Sequence, residues 1–232
     1  MITESTIQQG KSSELSVSEY FNELYSAAKP RYWWRHDDPY ATDPEAVRFS
    51  LLTQLTLRLI KGRVPGRALD LGAGEGADSI RLARLGYHVT AVEISDIAAK
   101  KIVKFASESG VAVDVEIADV TDYEPQGQFD LIICNGVLHY VANKVCVIDK
   151  MQRATSANGL NVVSLWSTYS AVPECHNRIP AFCDDEDGVV ARLYRRWSTE
   201  LFYFEREKPD HGHVDMPAHS HSHIKMIARR PK

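Results

Sequence analysis

The stretch Ala68-Leu69-Asp70-Leu71-Gly72-Ala73-Gly74-Glu75-Gly76-Ala77 limits the fold more than any other part of this 232-residue chain. A short apolar run, Arg67–Leu71, enters three glycines at alternate positions, and a helical pattern from Ala77 to Leu85 leaves them. Glycine lets the chain reverse tightly and leaves the N–H groups of the following helix open to a ligand. Strand, glycine turn and helix form the first part of a βαβ unit, and the alternation continues downstream. Strands are expected at His88–Val92, Val111–Ile117, Phe129–Cys134 and Gly159–Trp166. Between them, Ile97–Glu108 reads as a helix with Ser95 as N-cap and Gly110 beyond its end, and Lys144–Thr155 as another. Such a series predicts a parallel sheet with right-handed crossovers, covered on both faces by helices.

The flanks behave differently. Residues 1–15 are polar and suggest a frayed tail, while Leu15–Ala28 places Tyr20, Phe21, Leu24 and Tyr25 at helical spacing. A second helix is expected from Pro44 to Lys61, closed by Gly62. After Trp166 a long irregular segment carries two prolines, two cysteines and the acidic run Asp184–Asp187. A helix at Val189–Trp197 follows, then strands at Leu201–Arg206 and His223–Arg229 that suit an antiparallel hairpin. Between those strands and at the start of the second lie most of the chain's nine histidines: His211, His213, His219, His221 and His223 fall within thirteen residues.

Several functions are excluded at this level. No apolar run exceeds four residues, and the first residues lack both a basic start and an apolar stretch, so neither a membrane span nor a secretory signal is expected. A net charge of −4 without a dense Lys/Arg block argues against nucleic acid as partner. The four cysteines show no CxxC pairing, which favours reduced thiols and a cytoplasmic setting.

Asp70 decides what the glycine turn holds. Gly72, Gly74 and Ala77 also satisfy the spacing of dinucleotide sites, but a carboxylate two residues before the first glycine repels a pyrophosphate on the same turn. It suits a ligand that brings an ammonium, as S-adenosylmethionine does. Glu93 ends the next strand, where it can accept from both ribose hydroxyls, and Asp119 follows the third strand, where it can receive an adenine amino group. Three acids at three successive strand ends share the crevice where open α/β sheets bind ligands. An NAD-dependent oxidoreductase on this turn is the alternative, and a metal-holding, non-enzymatic protein using the histidines is another.

In order along the chain, Ala68–Gly76, Val92-Glu93, Ala118-Asp119, and Phe129-Asp130-Leu131-Ile132 running into Asn135-Gly136-Val137-Leu138-His139-Tyr140 resemble the motifs of class I S-adenosylmethionine-dependent methyltransferases. The resemblance covers about residues 60–166. It implies a Rossmann-like, doubly wound α/β sheet of seven strands, parallel except for one antiparallel strand near the C-terminus. It also implies S-adenosylmethionine as cofactor, held by Asp70, Gly72, Gly74 and Gly76 at the methionyl end, by Glu93 and Ile94 at the ribose, and by Asp119 and Val120 at adenine. Asn135 is then close to the sulfonium. The Gly86-Tyr87-His88-Val89-Thr90 step and the histidines before the last strand look most like the tellurite-resistance-type enzymes, which methylate small molecules.

The partner expected is therefore a small-molecule acceptor, with no nucleic acid and no membrane, and the reading is compatible with a homodimer. One domain is expected: tail 1–15, helical cap 16–62, cofactor core 63–166, and acceptor-side loops with a hairpin over 167–232. His139 and His221 are the candidate catalytic residues, as base or acceptor contact. Tyr32, Trp33 and Arg35, with Tyr140 and His176, are expected around the acceptor; aromatic faces suit a sulfonium and Arg35 an acid. No histidine spacing matches a familiar zinc pattern, so no metal is assigned. In an extended strand, however, His219, His221 and His223 would share one side.

Overall fold

The computed structural model describes residues 15–26, 38–47, 50–210 and 219–232. Its centre is a seven-stranded sheet in the order β3-β2-β1-β4-β5-β7-β6. The strands are β1 Arg67–Leu71, β2 His88–Glu93, β3 Asp114–Ile117, β4 Phe129–Asn135, β5 Thr155–Trp166, β6 Ser198–Asp210 and β7 His219–Arg229. The first five pair in parallel, and β7 runs antiparallel to both β5 and β6. The expected architecture is therefore present, with β7 as the single reversed strand.

Period-two alternation sorts the strand residues onto two faces. Leu131 and Ile133 of β4 and Leu160 and Val162 of β5 pack with Leu52, Leu57 and Ile60 of helix α2 (Leu51–Ile60) and Leu82 of α3 (Ala77–Arg84). Ile132, Cys134, Val163 and Leu165 face the other way. They meet Val147, Ile148 and Met151 of α5 (Lys144–Ala154) and Val190 and Tyr194 of α6 (Val189–Tyr194). Helix α4 (Asp96–Glu108) starts at Ser95, whose Oγ accepts from the Ala98 N–H at 3.1 Å, as expected of that cap.

Several boundaries differ from expectation: β3, β5 and β6 start at Asp114, Thr155 and Ser198 rather than Val111, Gly159 and Leu201, and α6 ends at Tyr194 rather than Trp197. Three further differences have a local reason. The second helix begins at Leu51 rather than Pro44, because the Ser50 side chain caps it by accepting from Thr53 N at 3.2 Å; residues 43–47 make a separate turn. Helix α1 spans Val17–Leu24, with Ser16 and Glu19 forming a capping box, and is shorter than the pattern suggested. The hairpin is longer than expected. Past a bulge between Glu205 and Lys208, pairing resumes as Lys208↔His221 and Asp210↔His219. His219–Ser222 is thus strand, not part of the loop that the sequence suggested before His223. Tyr32, Trp33, Arg35, His211 and His213 lie outside the described residues, as do most of the tail and part of the cap.

Candidate active site

The C-terminal ends of β1, β2 and β4 meet at the glycine turn. Gly72 N and Ala73 N both donate to Val92 O, at 2.8 and 3.1 Å, which fastens the turn across β2. Gly72 has φ +69°, and a Cβ there would come within 2.3 Å of Val137 Cγ2. Only glycine fits a left-handed backbone pressed against the loop after β4. Gly74, at φ +56°, lies under the hydroxyl of Tyr25, the C-cap of α1.

Asp70 is buried at the end of β1 and accepts from Ser79 Oγ at 2.6 Å. Burial, then the negative charges of Asp78 and Glu93, push its carboxyl up to about 7. Glu93, also buried, accepts from Gly74 N at 2.7 Å through Oε2 and from Ser95 N at 2.9 Å through Oε1. Burial raises its pKa against those backbone bonds. Among the described residues neither acid is ion-paired. Each oxygen of Glu93 keeps acceptor capacity beyond one N–H. Asp119 closes a tight turn after β3, its Oδ1 accepting from Thr121 N at 2.7 Å and Thr121 Oγ1 at 2.8 Å, and Val120 beside it is buried.

Helix α1 covers this edge. Ser18 Oγ donates to Ile94 O at 3.2 Å, Ser95 Oγ donates to Asn22 Oδ1 at 2.6 Å, and Phe21 meets Tyr140 edge-on at 5.3 Å. Glu23 forms an ion pair with Arg178 from the segment after β5, at 2.7 Å. The α1 residues Phe21, Asn22 and Glu23, with Tyr25 as its C-cap, are not among the site residues expected from the sequence. Their spacing signalled a helix, but not where its aromatic face would rest.

At the end of β4, Asn135 Nδ2 donates to Asp78 Oδ2 at 3.4 Å, and Ser164 Oγ donates to Asn135 Oδ1. His139 follows in a 3-10 turn, Leu138–Tyr140, and is buried. Its ring stacks on Trp166 at 3.9 Å, and Trp166 N donates to its Nδ1 at 3.4 Å. Burial is the main cause that holds this imidazole well below its ordinary pKa, with His223, His221, His176 and Lys144 adding to it. On the opposite face of Trp166 the His221 ring stacks at 4.7 Å. His176, from a 3-10 turn at Glu174–His176, and His219 lie against His221. His139, Tyr140, His176 and His221 are thus gathered around Trp166, a residue that the sequence did not single out. The acidic run resolves locally: Asp184 accepts from Val189 N and Val190 N, each at 2.9 Å, and so caps α6.

Residues 65–205, more than half of the chain, match the family described as a methyltransferase domain. The chain belongs to that family. Over 128 residues this methyltransferase domain is 33% identical to the ubiquinone biosynthesis O-methyltransferase of Xanthomonas euvesicatoria pv. vesicatoria, covering 53% of this chain and 51% of the relative. The protein of the same name from Xylella fastidiosa is 32% identical over 137 residues, 57% of this chain and 53% of its own length. The chain spans about half the length of the curated relatives it matches. TehB from Haemophilus influenzae superposes with a TM-score of 0.66 at 19% identity, over 92% of this chain and 66% of that one. The N-methyltransferase NodS from Bradyrhizobium japonicum, solved with S-adenosyl-L-homocysteine, gives a TM-score of 0.57 at 18% identity, over 93% and 98%. At these identities the likeness is one of fold. In this methyltransferase domain the glycine turn, Asp70, Glu93 and Ile94 form one continuous edge with Asn135, and Asp119 and Val120 follow the strand next to β2. No helix among the described residues is long and apolar enough to cross a membrane.

Proposed function

We propose that this methyltransferase domain moves a methyl group from S-adenosylmethionine to a small-molecule acceptor. The observation that carries the reading is a pair of buried carboxylates, Asp70 and Glu93, set beside a glycine turn and without a cationic partner among the described residues. Keeping two acids there is costly unless a cation is received. A pyrophosphate would worsen the repulsion, which argues against NAD as ligand.

When bound, S-adenosylmethionine supplies a methyl group on a cationic sulfonium, which an acceptor nucleophile displaces in line. The chain's own residues then have to orient and exclude water. Asp70 and the turn Gly72–Gly76 suit the methionyl end, Glu93 with Ile94 the ribose, Asp119 with Val120 the adenine, and Asn135 the sulfonium side. Phe21 of α1 and its C-cap Tyr25 cover the edge. A neutral, buried His139 is poorly suited to taking a proton and well suited to holding Trp166 in place. That leaves the segment 167–232, with Tyr140, His176 and His221, as the acceptor side of a single domain. Reduced cysteines at 134, 146 and 183 accord with a cytoplasmic setting.

Oxygen acceptors are the first to test, since the curated relatives are named O-methyltransferases. Small phenols, carboxylic acids, amines and thiols, incubated with methyl-labelled S-adenosylmethionine, should yield one class of labelled product. Absence of labelled product from every class, together with no binding of the demethylated cofactor, overturns the reading.

A further inference from the structure

The histidines at the hairpin end converge as ligands do. His176 Nε2 lies 3.0 Å from His219 Nε2, which lies 2.8 Å from His221 Nε2. One such nitrogen from each ring falls within 4.8 Å of the others. His219 and His221 are two residues apart on β7 and so share a side of the strand. The third member is not His223, which turns toward Glu205 at 3.5 Å, but His176, brought from 43 residues upstream.

Hydrogen bonding accounts for only part of this contact. A neutral ring nitrogen carries either one proton or one lone pair in its plane, so His219 Nε2 can serve only one of its two close neighbours. A cation accepting a lone pair from each ring satisfies all three. Metal–nitrogen bonds of about 2.0–2.1 Å place two ligands about 2.9 Å apart at a right angle, near both separations seen here. A bound ion would draw the remaining pair together. The rings are also fixed in place by packing, since His221 lies flat on Trp166, and His176 and His221 are buried.

We propose that His176, His219 and His221 form a binding site for a divalent transition-metal ion. Three imidazoles favour zinc, nickel, copper or ferrous iron over magnesium or calcium. Three protein ligands leave a coordination position for water or for an oxygen or sulfur donor. The site lies two stacked rings from the loop after β4, on the acceptor side of the sheet edge.

The test uses the untagged full-length chain, stripped with a chelator, dialysed and titrated with zinc chloride alone. One zinc ion per chain is expected, with no comparable uptake of magnesium. His176→Ala and His219→Ala should each weaken binding at least tenfold, whereas His88→Ala, on the exposed start of β2, should leave it unchanged. X-ray absorption on the zinc-loaded wild type should count three imidazole nitrogens at about 2.0 Å. That measurement decides the matter if a variant fails to fold. No stoichiometric uptake, uptake retained by both variants, or a spectrum without imidazole shells overturns the site. The titration contains no cofactor, so its failure and the failure of methyl transfer are separate results.

Discussion

The two halves of the sheet edge are built from opposite chemistry. At β1, β2 and β3 the strand ends carry carboxylates around a backbone turn, and burial pushes Asp70 and Glu93 toward the neutral form. At β5 and β7 they carry imidazoles around an indole, and burial pushes His139 toward neutrality from the other side. An acidic half suits a cationic ligand. The half lined with histidines carries the proposed metal site. On the proposed function, the contrast separates the two ends of a group transfer, with the cofactor at the acidic half and the acceptor at the other.

The largest effect in the acidic half is expected from Gly72→Ala. Forcing a left-handed alanine against Val137 should lower stability by roughly 2–4 kcal/mol, read from chemical denaturation, and remove cofactor binding with it. Next is Asp70→Asn, which keeps an acceptor for Ser79 but no charge. It should weaken binding of S-adenosylmethionine about tenfold or more by calorimetry, while making the ligand-free protein more stable at neutral pH.

The halves also oppose each other in pH. Asp70 has a folded pKa above its unfolded value, so between about pH 4 and 7 the folded state holds the extra proton and stability falls as pH rises. His139 has a folded pKa below its unfolded value, so the unfolded state holds the extra proton and stability grows as pH rises toward about 6.5. Denaturation across this window should therefore show a shallow dependence in the wild type. In Asp70→Asn the falling contribution should shrink to that of Glu93, so the profile should tilt toward rising stability with pH. An unchanged profile in that variant would erase the comparison. The smallest effect is expected from Ser95→Ala, which loses the cap of α4 and the bond to Asn22: about 1 kcal/mol, or 2–4 °C in melting temperature.

The two halves differ as well in how far the sequence reveals them. The acidic half is written in local terms. Asp70 stands two residues from its glycine and Glu93 ends its own strand, so β1 appears at Arg67–Leu71 as the pattern predicts. The histidine half depends on distant events. A bulge at Glu205/Lys208 sets the register that carries His219 and His221 into β7, and His176 arrives from a 3-10 turn whose position no periodicity encodes. The place of α1 was likewise hidden. Its aromatic spacing predicted an amphipathic helix, yet the contact of Tyr25 with Gly74 joins segments some fifty residues apart.

On this reading the acidic half receives a cationic nucleoside rather than a dinucleotide. Calorimetric titration of the wild type and of Asp70→Asn with S-adenosylmethionine, its demethylated product and NAD(H) tests this directly. One site per chain is expected for the first two ligands, weakened about tenfold or more for S-adenosylmethionine in the variant, with no binding of NAD(H). Binding of NAD(H) alone, or an affinity for S-adenosylmethionine indifferent to Asp70, would contradict it.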